Sequence, residues 1–439
     1  MNAYPPMTAK ISAPPIRDFE SLTMPDCTIV DLMPGMKLHL LNNGTQDANR
    51  ISVVLRKNFA DRKIACASSI MPSLLQEGCA TMSGAEIAET IDFNGAWLST
   101  LTPAHYWGLA LISLNETTEQ LLPIIGDMIL RPTFPEKSIE NARRKSAMMN
   151  RLNLSKPQFI ANTELERHIY GPSHPYLGNF TPEEIEAITR DDIINAHKYS
   201  LDTEIHIFAA GKLTDNILKS IENLARQLCP TNPLPSEPIL YFRSEAAATI
   251  DIPSRFAIEQ AAVACGIPAI RRDHPDYNDL RHTIVAFGGY FGSRLMTNIR
   301  EDKGLTYGIN ATLQGMLEGS HICINAQCDN SYVEQVVAEI KNEMHILANT
   351  EMSADELHRV KSEITSGLAA RLESPFSIID YYESNLLIGI PDGYFQHQFE
   401  TVRTLTPAKI CEMATKYLVP ENMTTVTVTA PAQNENPRQ

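Results

Sequence analysis

The chain carries twelve histidines and eight cysteines, the residue types that most often hold a metal or attack a substrate. A helical zinc-peptidase site needs two imidazoles on one turn with a carboxylate beside them to activate the bound water. No two histidines here are spaced i, i+4, and neither His-Glu-x-x-His nor His-x-x-Glu-His occurs. None at all lies between His39 and His105. His168 and His174 flank the turn Tyr170-Gly171-Pro172 and read as surface or packing residues. The cysteines (Cys27, Cys66, Cys79, Cys229, Cys265, Cys323, Cys328 and Cys411) form no Cys-x-x-Cys pair. Cys323 and Cys328 fall on opposite faces of an apparent strand, so reduced core thiols are expected. The stretch Gly288-Gly289 to Gly292 lacks both Gly-x-Gly-x-x-Gly and a Gly-Lys-Ser/Thr ending. It reads as a turn that lets backbones approach closely, not as a phosphate loop.

The elements that position these residues repeat. Thr189 precedes a periodic helix that leads through Lys198-Tyr199 to the alternating strand Glu204 to Gly211. Thr406 precedes a second such helix, with Lys416-Tyr417 and then Thr424 to Ala430. A threonine N-cap serves each helix, at an offset of about 217 residues. Upstream, Tyr106 to Leu114 followed by Glu119-Gln120-Leu121-Leu122 matches His321 to Cys328 followed by Glu334-Gln335-Val336-Val337. The helix opening at Phe134-Pro135-Glu136 matches the one at Met352-Ser353-Ala354-Asp355. An ordered set of matches at near-constant offset indicates a duplicated α+β unit. The segment 229–240, with four prolines among Pro230, Pro233, Pro235 and Pro238, reads as the linker between halves 25–228 and 241–431. Met36 to Leu41, the turn Asn42-Asn43-Gly44 and Arg50 to Arg56 read as an opening hairpin. The expected fold is α+β: two homologous domains, each an antiparallel sheet with helices on one face.

Bulk properties narrow the function. At 439 residues the chain is long enough for more than one core, and its 43% hydrophobic and 20% charged residues are ordinary for a globular protein. A net charge of −15 and a pI near 5.3 repel phosphate backbones, so nucleic acid is not an expected partner. No apolar run reaches the roughly 20 residues of a membrane span. The first residues, Met1-Asn2-Ala3-Tyr4-Pro5-Pro6, show no basic region followed by an apolar one. The expected location is therefore cytoplasmic, or periplasmic if a signal has been removed.

One segment is specific. Phe287-Gly288-Gly289-Tyr290-Phe291-Gly292-Ser293-Arg294-Leu295 leads into Asn298-Ile299-Arg300-Glu301-Asp302-Lys303-Gly304-Leu305-Thr306-Tyr307. It resembles the Gly-Gly-x-x-x-Ser-Arg-Leu and Leu-Arg-Glu-x-x-Gly-Leu-x-Tyr segment of the pitrilysin/insulinase family of zinc metallopeptidases, in its short, processing-peptidase-type branch. The one departure is Ile299 in place of Leu. The resemblance runs from about residue 25 to 431. In the first half that family places His-x-x-Glu-His on a helix, followed by a Gly-Thr-like step and a helix ending in a Gly-Ala turn. The downstream pattern is present as Gly78-Cys79-Ala80-Thr81, Glu86 to Asp92 and Asn94-Gly95-Ala96. Counting back places the motif on Ser69-Ile70-Met71-Pro72-Ser73, and the distal glutamate near Asn150. Serines stand for both histidines and proline for the base. A shifted register, Leu74 to Gly78, recovers Glu77 but no histidine. Neutral hydroxyl and amide groups do not replace imidazole and carboxylate on Zn²⁺, so no metal is expected on this chain.

The resemblance further implies that Arg300 and Tyr307 reach substrate. A guanidinium donates to peptide carbonyls, and a phenol donates to the oxyanion forming on the scissile carbonyl. The bland alternative pairs Arg300 with a neighbour such as Glu301 and half-buries Tyr307 in a strand. Family heterodimers divide the labour between a zinc-bearing subunit and one that has lost the zinc motif but keeps the Arg and Tyr. The expected role is therefore a non-catalytic, substrate-binding subunit completing the site of a homologous partner that carries zinc. Peptide would add as a strand to a sheet edge. Two other readings stay open: a structural protein of the same fold, like the core subunits of the respiratory cytochrome bc complex, and a stand-alone peptide-binding homodimer.

Overall fold

The computed structural model describes residues 19–431 except 58–60, 173, 175–179, 229–245, 256, 318 and 391–392. The proline-rich linker 229–240 and Cys229 lie outside the described residues. In the first half the strands are β1 (Thr28–Met33), β2 (Met36–Asn42), β3 (Ala48–Arg56), β4 (Trp97–Leu101), β5 (Tyr106–Leu114) and β6 (Ile205–Gly211). Helices α1 (Arg62–Leu74) and α2 (Gly84–Phe93) precede β4, and α3 (Asn115–Leu130), α4 (Glu136–Asn153) and α5 (Pro157–Tyr170) follow β5. The short α6 (Pro182–Glu186) and α7 (Arg190–Leu201) lead into β6, and α8 (Asp215–Leu228) closes the half. In the second half β7 (Thr249–Pro253), β8 (Ala261–Ala269) and α9 (Tyr277–Ile284) come first. Two π-helical turns, Val285–Gly289 and Met296–Asp302, precede β9 (Thr306–Gly315) and β10 (Ser320–Cys328). Helices α10 (Val333–Asn349), α11 (Ala354–Ala370), α12 (Pro375–Leu386), α13 (Tyr394–Thr404) and α14 (Pro407–Tyr417) lead into β11 (Thr424–Thr429).

The duplication is visible in the topology. The first sheet has the order β1-β2-β6-β3-β5-β4 and the second β7-β11-β8-β10-β9, the same arrangement apart from the additional β1. Three successive helices begin 218 residues apart, at Asn115 and Val333, Glu136 and Ala354, and Pro157 and Pro375. Thr189 caps α7 in a reciprocal capping box with Asp192, and Thr406 accepts from the Lys409 N–H to cap α14.

Three expectations need correction. β2 and β3 do not form a hairpin, because β6 lies between them, parallel to β2 and antiparallel to β3. Ile-His-Ile-Phe-Ala-Ala-Gly is buried along its whole length, so β6 gains most by inserting where both its edges and both its faces are covered. The Asn42-Asn43-Gly44 turn is instead a crossover. Asn42 exchanges hydrogen bonds with the Leu213 backbone at 2.9 and 3.1 Å. Gly44 lies on Gly211 so closely that a Cβ would sit 2.4 Å from its carbonyl carbon. The actual opening hairpin is β1–β2, turning at Gly35 with φ 76°. Neither sheet is wholly antiparallel, since β2–β6 and β7–β11 are parallel pairs.

Helices also cover more than one face. Ile51, Val53 and Leu55 of β3, with Ile205 and Ile207 of β6, pack under the helices of their own half. On the opposite face, Val54, Phe208 and Ala210 pack against Ile378 and Ile379 of α12, from the second half. Reciprocally, α5 of the first half lays Ala161, Leu165 and Ile169 on Ala262, Ala264, Val426 and Val428 of the second sheet. Cys323 belongs to this contact, while Cys328 faces the second half's own core, as their spacing requires.

A buried ionic cluster locks the first exchange. Glu383 of α12 accepts from both terminal nitrogens of Arg50 at 3.2 Å and from the Ser52 hydroxyl at 2.6 Å. Arg50 also meets Asp380 at 2.6 Å. Removing one partner leaves a buried charge uncompensated. Glu383→Ala is therefore expected to lower unfolding free energy by about 3 kcal/mol in urea titration, whereas Asp380→Ala, at an exposed carboxylate, costs less than about 1 kcal/mol.

Burial, aided by neighbouring cations or imidazoles, holds His39 down to about 4 and His105 to about 3, and burial alone holds His321 to about 4. The unfolded chain takes up these protons near pH 6.5 while the folded chain refuses them. Stability is thus full above the unfolded value and falls as pH drops from about 6.5 towards 4. The expected result is a melting temperature that is flat above pH 7 and declines across that window, less steeply in His321→Gln.

Candidate functional site

The segment from Phe287 to Tyr307 divides physically into residues that build the scaffold and residues left free. Gly288 lies against β9, where a Cβ would sit 2.7 Å from that of Ala311 and 2.8 Å from its backbone nitrogen. Leu295, Ile299 and Leu305 enter the core of the second half. Arg294 forms a fork with Glu356 of α11, its Nε and Nη2 donating at 2.7 and 3.2 Å. Asn298 donates to Glu343 of α10 at 2.8 Å, and Lys303 meets Glu339 at 2.5 Å. Gly304 supplies the left-handed turn, φ 63°, that starts β9. These contacts pin both π turns, a helical form found disproportionately at functional positions.

What remains free is Phe291, Arg300 and Tyr307. Tyr307 is 83% exposed and Phe291 63%, against the habit of large rings. The Arg300 guanidinium lies between them, 4.8 Å from the Phe291 ring centre and 5.5 Å from that of Tyr307. Each cation–π contact at an exposed site contributes about 0.5–1 kcal/mol. Stacking fixes the plane of the guanidinium without consuming its N–H donors, and among the described residues Arg300 makes no ion pair with Glu301 or any other carboxylate. So the two sequence-selected residues are brought together, and the half-buried alternative for Tyr307 does not hold. Phe291 was not selected from sequence. Its signal was a bulky ring between Tyr290 and Gly292 in an otherwise small-residue turn.

The positions that correspond to a zinc site lie on α1 and α4. Ser69 and Ser73 occupy the exposed side of α1, and their hydroxyls donate back to the carbonyls of Cys66 and Ile70, both at 2.7 Å. Pro72 is buried within the helix. Asn150 on α4 donates to the Phe180 carbonyl at 2.8 Å, and its own side-chain oxygen is buried without a partner. Glu77, the carboxylate of the shifted register, is exposed and accepts from Ser138 at 2.8 Å. Two hydroxyls spent on backbone, a proline and an amide do not fit a divalent zinc ion, which takes imidazole, thiolate or carboxylate. His168 bonds to the Ala246 carbonyl at 2.8 Å, and His174 packs 5.1 Å from the Tyr170 ring, so neither contributes to a centre with α1.

Gly288→Ala forces a Cβ into backbone and is expected to cost about 2 kcal/mol. Phe291→Ala and Tyr307→Ala are expected to change stability by no more than about 0.5 kcal/mol, since both rings face solvent. Urea unfolding of the three variants checks the division. Unfolding of the segment by Phe291→Ala would assign that ring to the scaffold.

Comparison with known proteins agrees with this fold. Residues 187–364 match the family described as the peptidase M16 inactive domain. The chain is 23% identical over 362 residues to the "uncharacterized zinc protease YmxG" of Bacillus subtilis (strain 168), covering 81% of this chain and 87% of that one. It is 20% identical over 359 residues to the "non-peptidase homolog YmxG" of Helicobacter pylori (strain ATCC 700392 / 26695), covering 80% and 82%. The solved structure of a peptidase M16 inactive domain from Pseudomonas fluorescens superposes with a TM-score of 0.81 at 20% identity, covering 93% of this chain and 99% of that one. A protease structure from Helicobacter pylori gives 0.79 at 16% identity, covering 93% and 100%. Residues 187–364 thus match the peptidase M16 inactive domain, and the chain as a whole shares the fold of these solved structures.

Proposed function

We propose that this non-catalytic M16-type chain binds extended peptide and completes the active site of a homologous, zinc-carrying subunit. The observation that carries the reading is Arg300, stacked between Phe291 and Tyr307 with its donors unspent, in a chain whose zinc positions hold Ser69, Pro72, Ser73 and Asn150. The arrangement suits recognition of carbonyls: the guanidinium donates to peptide oxygens, and the Tyr307 hydroxyl is free to donate to an oxyanion. β9, which carries Tyr307, is the last strand of its sheet, the position at which an extended peptide adds as a further strand. β4 ends the first sheet in the same way, with Trp97 70% exposed. Main-chain pairing gives affinity with little demand on sequence, and the chain's acidic charge adds a weak preference for basic peptides. The "non-peptidase" name of the Helicobacter pylori relative fits the absence of independent peptidase activity.

The test is to purify the chain alone and co-expressed with a His-x-x-Glu-His homologue from the same source. Zinc content and cleavage of a quenched peptide are then measured for each. The expected outcome is an inert, zinc-free chain and a complex that cleaves, with Arg300→Ala lowering kcat/KM at least about 100-fold and Tyr307→Phe about tenfold. Stoichiometric zinc and cleavage by the lone chain would overturn the proposal. An active complex indifferent to both substitutions would favour a purely structural role.

A further inference from the structure

The second half contains a cleft of 420 Å³ between α9, the first π turn, α11, α12 and α13, with none of the Arg300 stack among its lining residues. By the 218-residue repeat it is the counterpart of the zinc-equivalent position. The first-half hollow is lined by Ser73, Lys145 and Met149, and the second-half cleft by the matching Glu363 and Gly367 of α11. A Cβ on Gly367 would meet nothing within 4 Å, so the wall opens where Met149 stands in the first half.

The lining of this cleft is cationic in a chain of net charge −15. Arg272, Arg281 and Arg371 line it, against the single carboxylate of Glu363, and among the described residues none of the three arginines forms an ion pair. Arg272 spends Nη2 on the Gly315 carbonyl at 3.0 Å, while its Nε is buried without a partner. His282 lines the same space, is 2% exposed, and its Nδ1 has no partner either. Buried polar atoms are nearly always satisfied, so two orphans on one wall indicate that something else supplies their partner. Three unneutralised guanidiniums facing one space repel each other unless an anion joins them. Guanidinium forks match the planar geometry of carboxylate and phosphate oxygens.

The geometry points to this cleft as a binding site for a small anion bearing phosphate or carboxylate groups, held by Arg272, Arg281 and Arg371, with His282 hydrogen-bonding at its inner end. The volume falls in the range of small-molecule sites. Burial, with Arg281 nearby, keeps His282 neutral down to about pH 3, so its ring nitrogen acts as a hydrogen-bonding group and not as a fourth charge. The site uses none of Phe291, Arg300 and Tyr307 and requires no partner subunit.

The test uses the full chain, with inorganic pyrophosphate and citrate titrated separately by calorimetry against sodium chloride of equal ionic strength. Saturable binding of pyrophosphate alone assigns phosphate, of citrate alone carboxylate, and of both a general anion site. In each case Arg281→Ala with Arg371→Ala, both at exposed guanidiniums, is expected to weaken binding at least about tenfold. Arg226→Ala with Arg403→Ala, which removes two exposed arginines elsewhere, leaves it unchanged and controls for net charge. Absence of saturable binding by either anion, or binding that survives the double variant, overturns the proposal.

Discussion

Both sheets of this protein are apolar on two faces, and the helices that pack on their own half's sheet cover only one. β6 is buried from Ile205 to Gly211, and β8 from Ala261 to Ile267. A half folded alone would leave Val54, Phe208 and Ala210, or Ala264, Val426 and Val428, in contact with water. The solution is an exchange: α12 crosses to the first sheet and α5 to the second. Each buried branched or aromatic side chain is worth about 1.5–3 kcal/mol, so the exchange binds the halves more firmly than a polar domain interface would. The Arg50–Glu383 cluster adds register to that adhesion. A buried ion pair gives little net stability, but it penalises any placement of α12 that separates the partners.

Everything that positions the candidate site follows from this rigid pairing. Because α11 and α10 are fixed over the second sheet, Arg294, Asn298 and Lys303 have anchored carboxylates to hold, and the two π turns keep their irregular shape. Phe291, Arg300 and Tyr307 are then presented from the surface of a packed scaffold instead of a free loop. Preorganisation of this kind reduces the ordering cost of binding.

Much of this was legible in the sequence, and the failures have physical causes. Periodicity and caps located the duplicated helices, because Thr189, Thr406 and the α4 and α11 openings are local signals. The Gly-Gly to Tyr307 segment singled out Arg300 and Tyr307, which the fold places side by side, because close packing constrains so many of its other positions. The pairing of β2 and β3 was misread because Asn-Asn-Gly is a good turn locally, and only a strand over 160 residues away decides that it must be a crossover. Cross-coverage by α5 and α12 was invisible for the same reason, since an amphipathic helix does not declare which half's sheet it covers. Phe291 was passed over because a turn has no periodicity to tell which way a ring points.

The zinc-equivalent region shows why loss of metal ligands need not loosen the fold. α1 buries Ala65, Cys66, Ala67, Ile70, Met71 and Leu74 along one side, and Ser69 and Ser73 point the other way. Its first turn is tied to the neighbouring helices by Arg62 with Glu184 and by Lys63 with Asp192 at 2.8 Å. Asn150 ties α4 to the Phe180 backbone. A metal spanning α1 and α4 would add to these contacts, but none of them depends on it. Pro72 argues the same point from the opposite direction. A proline this far inside a helix forfeits a backbone hydrogen bond and costs on the order of 3 kcal/mol in an isolated helix. α1 tolerates it because Pro72 is itself buried and packed, so the helix is held by its apolar side and its outer face is released from any structural duty.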